Sequence, residues 1–248
     1  MLVACHQPNY LPWSGYFHKI RLADVFVILD SIQFPRGRSW VSRNRIKTSR
    51  GQLWLTVPVK RKGLGLQRIQ DVEIDNNYMG CPPLDCGMLP MWGKKHLLSL
   101  VHFYKKAPYF SDYIDFFTNV YEKKWGRLSD LNLALIKEIK KWLEIDTKIV
   151  CSSELGIGDR HACPLLIEIC KSLGADTYFS GSGGRKYIDD EKFKAQGINV
   201  KYFSFEPSAY PQFWGDFISN LSIVDLLFNC GKKGFANQVK SAKFRKCP

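Results

Sequence analysis

Two short apolar runs open the chain, Leu-Val-Ala-Cys at residues 2–5 and Val-Phe-Val-Ile-Leu at residues 25–29, and neither alternates with polar residues. Continuous runs of this length, the second rich in β-branched residues, predict strands of a parallel sheet buried on both faces. Between them, residues 14–23 place Phe17 and Ile20 on one helical face, so the opening reads as a βαβ unit. A third strand is expected over residues 52–59, ending or lying at an edge because of Pro58. Periodicity is lost over residues 78–92, where Gly80, Pro82, Pro83, Gly87 and Pro90 mark a loop or insertion. Helices are predicted over 111–125 and 129–143, each opened by a Ser N-cap, with Ile114, Phe117 and Tyr121, then Ile136, Ile139 and Leu143, at helical spacing. These two are expected to form a helical hairpin on the sheet. Strands at 147–151, 177–180 and 199–205 follow, with a helix over 163–173 closed by Gly174. The expected fold is α/β, a Rossmann-like doubly wound parallel sheet with an inserted helical sub-domain. It forms one domain over 1–248, with the insertion at 80–145 and a basic tail at 232–248.

Composition narrows the class further. The chain has 248 residues, 45% hydrophobic and 24% charged, which excludes intrinsic disorder and fibrous repeats. No apolar run approaches the roughly 18 to 20 residues that span a bilayer. Met1 leads straight into apolar residues without a basic region, and eight cysteines are scattered without a disulfide spacing, so a cytoplasmic location is expected. The net charge of +13 is regional. Between Asp30 and Asp71 there is no acidic residue, while ten Arg and Lys residues lie there; after Gly231 come six more with no acid. Such single-sign segments attract an anionic substrate, nucleotide, RNA or membrane surface, or are plain solvated faces.

In open parallel sheets, ligands bind beyond the carboxyl ends of the strands. The residues expected there include His6, Gln7, Asn9 and Tyr16 after the first strand, and Asp30 and Gln33 after the second. After the strand at 177–180 comes Ser180-Gly181-Ser182-Gly183-Gly184-Arg185-Lys186-Tyr187, a turn whose backbone N–H groups can face a phosphate. It lacks the spacing of a P-loop. His6 and Asp30 are the candidate general bases. Arg43, Asn44, Arg45 and Lys47, with Arg185, suit carboxylate or phosphate recognition, because arginine offers a planar fork of donors. No metal site is expected: Cys81, Cys86, His96 and His102 are spaced outside the usual zinc range.

Several ordered blocks, the run from His6 to Ile20, Ala23 to Phe34, Asn44-Arg45-Ile-Lys47, Tyr178 to Gly184, Tyr210-Pro-Gln212 and Ser222 to Gly231, together resemble the WbqC-like family. That resemblance implies association with surface-polysaccharide and O-antigen biosynthesis and modification of an amino sugar. The opening unit, with Pro12-Trp-Ser-Gly15-Tyr16, Ala23-Asp24 and Gln33-Phe34, also resembles the nucleotidyltransferase superfamily that includes pantothenate synthetase. There a His-x-Gly-His turn holds ATP phosphates. Here only Gly15 of that turn is kept, so either His6, His18 or residues 43–47 take over that contact, or the fold persists without adenylyl transfer.

The resulting expectation is an enzyme of polysaccharide precursor synthesis, a transferase or an ATP-dependent amide-forming ligase. Its ligand would be an anionic small molecule: ATP, another nucleotide, a nucleotide-sugar or an activated acyl donor. A non-catalytic nucleotide- or RNA-binding module is the alternative, and peripheral membrane contact through the basic tail is a third.

Overall fold

The protein is described from a computed structural model covering residues 1–77, 90–158, 160–186, 188–238 and 242–245. Its sheet is built from β1 (Leu2–His6), β2 (Val25–Ile28), β5 (Lys148–Cys151), β6 (Thr177–Gly181), β7 (Asn199–Phe205) and β8 (Ala242–Arg245), in the spatial order β5-β2-β1-β6-β7-β8. The first five are parallel and β8 pairs antiparallel with β7. Taken in chain order the parallel strands lie third, second, first, fourth, fifth, the Rossmann-like arrangement.

Alternation along each strand explains why the runs are apolar throughout. Val3, Cys5, Val25, Val27 and Tyr178 meet Leu166 and Ile169 of α5 (Ala162–Ser172) and Phe193 of α6 (Asp190–Lys194) on one face. Ala4, Phe26, Ile28 and Phe179 belong to the core on the other face, with Phe17 and Ile20 of α1 (Ser14–Leu22) and Leu227 and Phe228 of α7 (Ile223–Asn237). Both faces are covered, so no position in β2 can be polar without cost.

Several features depart from the sequence reading. Residues 43–48 form a strand, β3 (Arg43–Thr48), which pairs only with β4 (Gly51–Thr56) in a separate antiparallel hairpin. Its sequence is too polar to read as a strand, because Asn44, Ile46, Lys47 and Thr48 are buried by tertiary partners rather than by an apolar pattern. Helix α2 (Met91–Tyr104) begins two residues inside the expected loop, whose remainder at 78–89 lies outside the described residues. Helices α3 (Phe110–Glu122) and α4 (Leu128–Trp142) start one residue before their serines. Their starts are fixed by tertiary bonds instead of Ser caps: Tyr109 N–H donates to Phe228 C=O and Leu128 N–H to Val72 C=O. Helix α3 packs on α2 and α7, and its Tyr113, Phe116 and Phe117 also meet Trp142 at the end of α4. Residues 232–237 belong to α7 and 242–245 to β8, so the basic segment after Gly231 enters the fold.

Candidate functional site

The carboxyl edge of the sheet is where strands stop pairing. β1 pairs with β2 through His6↔Ile28, and β6 pairs with β7 through Gly181↔Phe203. Yet β1 and β6 pair with each other only as far as Ala4↔Phe179. The two central strands therefore part over their last residues, opening the crevice expected at the point where strand order reverses.

His6 lies on one lip of this crevice, half-buried, with its Nδ1 3.1 Å from the Gln7 carbonyl and its ring edge-on to Tyr16 at 4.9 Å. The contact assigns the proton to Nδ1 and leaves Nε2 as an acceptor. Burial, helped by the charge of Lys19, pushes its pKa down to about 3, so the imidazole is neutral. Tyr16 donates to the same Gln7 carbonyl at 3.1 Å, and burial raises its phenol well above the ordinary value. Asn9 is buried a little further along the loop. On the other lip, Ser180 is buried and a 3-10 turn over Ser182–Lys186 folds back on it. A Cβ on Gly184 would lie 2.0 Å from Ser180 Oγ and 2.8 Å from Ile188 Cδ1, so a larger residue there forces both side chains to move. Gly181 is half-buried and Gly183 exposed. The exposed Arg185 stacks over Tyr202 at 4.5 Å. Tyr187 lies outside the described residues.

Asp30 stands at the end of β2 but faces β5. Its carboxylate accepts from Ser152 Oγ at 2.9 Å, Ser153 N–H at 3.0 Å and Ser153 Oγ at 2.6 Å, tying β2 to the start of the turn after β5. Gln33 is exposed and bridges to Arg68. His18, buried and sandwiched between Phe205 and Phe235 at 4.6 and 4.0 Å, is a core side chain whose pKa burial lowers to about 4.

A second region lies beside the β3–β4 hairpin. A groove of about 1340 Å³ runs between the β3–β4 hairpin, the segment after β2 and helix α2. Arg36, Arg38, Arg43, Arg61, Lys94 and Lys95 line it, and among the described residues no carboxylate does. Trp54 and Trp92 supply aromatic wall, and the Arg43 guanidinium sits 3.7 Å over the Trp54 ring. Arg61 holds the segment that carries Arg36 and Arg38 by donating to the carbonyls of Pro35, Arg36 and Gly37.

Of the four residues expected to act together on β3, strand alternation sends only Asn44 to the opposite face, and different tertiary partners separate Arg43, Arg45 and Lys47. Arg43 faces the groove. Asn44 gives its amide to the carbonyls of Tyr10 and Leu11, clamping the loop after β1. Arg45 donates to Gln52 Oε1 at 2.7 Å and to the Asn220 carbonyl at 3.1 Å. Lys47 is buried and donates to the carbonyls of Gly215 and Asp216. The loop after β1 connects the two regions: it begins at the crevice with Gln7, and its Tyr10 hydroxyl meets His96 of the groove wall at 2.9 Å.

The sequence reading missed Lys94 and Lys95, which face the groove only because α2 exists, and Lys19, a lysine buried inside α1 beside the crevice. The sequence carries no signal for Lys19: at about 100° per residue it stands off the face that Phe17 and Ile20 share, and it is buried because every residue of α1 from Ser14 to Ile20 is.

The chain belongs to the WbqC-like protein family, whose model matches residues 7–237. It is 36% identical over 231 residues, 92% of this chain and 94% of the relative, to the uncharacterized protein Rv1507c of Mycobacterium tuberculosis. No solved structure matches, and the likeness to nucleotidyltransferases is not confirmed. Among the described residues no helix is long and apolar enough to cross a membrane, and no cluster of three or more His, Cys, Asp or Glu can hold a metal ion.

Proposed function

We propose that the protein is an enzyme that takes a phosphate-bearing donor, a nucleotide, nucleotide-sugar or activated acyl group, into the basic groove and transfers from it in surface-polysaccharide precursor synthesis. The observation that carries this reading is the groove itself: six cations and two tryptophans around about 1340 Å³, with no described carboxylate among them. That is far more positive charge than a solvated face needs, and enough volume for a nucleotide-sized ligand. The polysaccharide context rests on the family resemblance. In the amide-forming version an amine nitrogen attacks the activated acyl carbon, the phosphate-bearing leaving group departs, and the amine proton passes to a base. His6, whose Nε2 is left as an acceptor, takes that proton once the bound anion offsets the burial and the Lys19 charge that lower its basicity, and the groove cations stabilise the charge on the leaving group.

Thermal-shift screening against nucleotides, nucleotide-sugars and acyl phosphates tests the reading. A ligand at about 100 times its Kd adds roughly 2.7 kcal/mol of stability. A panel without any shift sinks it. A second reading, single-stranded RNA binding, is favoured by the exposure of Trp40 and Trp54 beside Arg43 and Arg45. Binding that weakens log-linearly with salt, with a slope of several phosphates and no preference among nucleotides, supports RNA instead.

A further inference from the structure

Helix α1 carries a buried cation where none is needed for packing. Lys19 is 4% exposed, and its Nζ donates to the Cys5 carbonyl at 2.8 Å. Among the described residues no carboxylate pairs with it.

The identity of that carbonyl is informative. Along β1, the carbonyls of Leu2 and His6 accept from Asp24 and Leu29, on the β2 side. The Met1 carbonyl accepts from Thr177, on the β6 side. Carbonyl direction alternates along a strand, so Cys5 C=O also faces β6. It is the first acceptor on that side beyond the last β1–β6 pair, Ala4↔Phe179. Lys19 therefore occupies the ladder position that β6 vacates, with its ammonium in the parting between the two central strands. The long side chain reaches there because α1 runs back from the carboxyl edge and helical side chains lean toward their own N-terminus.

An ammonium brings three donors, and a single neutral carbonyl uses one. Burying that charge without an anion costs several times what a satisfied neutral side chain would cost. The groups facing it are the Cys5 thiol, held protonated by burial, and the neutral His6 ring, so neither supplies a negative charge. The His6 edge and the Gly181 backbone stand on either side. We propose that Lys19 is the cation of an anion subsite at the parting of β1 and β6, taking a phosphoryl oxygen of the ligand. This rests on the reading of a phosphate-bearing donor, and adds a subsite separate from the arginines of the groove. Burial without a counter-charge lowers the Lys19 pKa to about 8, and a bound anion would raise it again.

The test follows the Lys19 ammonium directly. ¹³Cε lysine NMR of the full chain, with the Lys19 signal assigned by Lys19→Arg and Lys19→Met, gives its titration midpoint with and without inorganic pyrophosphate. The expected result is a midpoint at least one pH unit higher with pyrophosphate, and a Lys19→Met protein that melts no lower than the parent but binds pyrophosphate at least tenfold more weakly. A midpoint unmoved by pyrophosphate overturns the subsite, as does a Lys19→Met protein that is destabilised yet binds pyrophosphate normally. If Lys19→Met fails to fold, the parent titration with Lys19→Arg assignment still decides. Nucleotide binding with Lys19 unmoved removes the subsite and leaves the donor reading standing. A moved Lys19 with no response to any nucleotide supports the subsite and removes the donor reading.

Discussion

The crevice between β1 and β6 and the groove beside the β3–β4 hairpin both collect polar groups, but they are built in opposite ways. In the crevice the polar atoms are few, largely buried and tied to the backbone: His6 and Tyr16 on the Gln7 carbonyl, Lys19 on Cys5, Ser180 closed over by Gly184. In the groove they are many, mostly solvated and attached by long side chains. The first is defined by shape, the second by charge. Buried polar groups hold one geometry because leaving any of them unsatisfied costs about 1–3 kcal/mol, whereas exposed arginines rearrange at little cost. A large anionic ligand gains encounter rate from the second and positional accuracy from the first.

If that contrast is right, the largest effect comes from disturbing shape near the crevice. A Cβ at Gly15 would lie 2.4 Å from the Trp13 ring, inside the turn that leads from β1 into α1. Gly15→Val is expected to cost about 3 kcal/mol or to prevent folding. At Gly37, which lines the groove with nothing within 4 Å of an added Cβ, Ala should change stability by no more than about 0.5 kcal/mol. Urea denaturation of both variants checks this. Equal costs would mean that the two regions do not differ in rigidity.

The boundary between the regions has its own signature. His96, 3% exposed, bonds the Tyr10 hydroxyl, and burial, then the charge of Lys95, pushes its pKa down to about 3 from 6.5. Between those values the unfolded chain holds a proton that the folded protein lacks. Stability therefore falls as pH drops from about 6.5 toward 3. At pH 5 this group alone should account for about 2 kcal/mol. The pH dependence that His6 and His18 add is common to parent and variant, so the difference in melting between pH 7 and pH 5 for His96→Gln against the parent isolates it. A variant as acid-sensitive as the parent would show His96 to be solvated and the loop after β1 uncoupled from α2.

How much of this was legible differs between the regions for physical reasons. The parallel sheet could be read because burial on both faces leaves an uninterrupted apolar run, and β1, β2, β5, β6 and β7 each lie within a residue or two of the expected segments. The polar residues at the strand ends followed from the same logic. The hairpin could not be read, since the polar β3 owes its burial to Tyr10, Tyr104 and the segment around residues 215–216. Nor could the division of labour on that strand: Arg-Asn-Arg-Ile-Lys looks like one basic cluster, but alternation sends Asn44 into the fold, and a buried lysine at position 47 is recognisable only once its carbonyl partners are known. The charge of the 36–68 segment was plain in the sequence. Its partner wall, Lys94 and Lys95 on α2, was hidden by the adjoining Pro- and Gly-containing stretch.

Charge in the groove should be worth less per residue than shape near the crevice. Arg43 is half-buried, stacked on Trp54, and faces the cavity with no carboxylate partner among the described residues. Arg43→Gln is expected to leave the melt within about 0.5 kcal/mol. It should weaken the nucleotide-class ligand found by thermal shift by about 1.5 kcal/mol, through one lost charge-assisted contact. Isothermal titration at two salt concentrations reads both the affinity and the slope, and an affinity unchanged at either would move the ligand out of the groove.

The smallest effect is expected two residues along the same strand, at Arg45, where a basic residue that looks equivalent in sequence has a different task. Its guanidinium already donates to Gln52 across the hairpin and to the Asn220 carbonyl just before α7, and its backbone carbonyl accepts from the N–H of Ser222, the cap of that helix. The side chain therefore ties the hairpin to the start of α7, and these two contacts fix its direction. Removing it deletes two partly exposed hydrogen bonds and frees a carbonyl that water can reach, so Arg45→Ala should lower stability by about 0.5–1 kcal/mol. Ligand affinity per folded molecule should change by less than the Arg43→Gln loss. The pair is thus a direct comparison of a groove cation with a structural one. If Arg45→Ala instead weakens binding as much as Arg43→Gln while its melt is unchanged, the contacts to Gln52 and Asn220 are expendable, and the ligand reaches across the hairpin onto the Trp40 side.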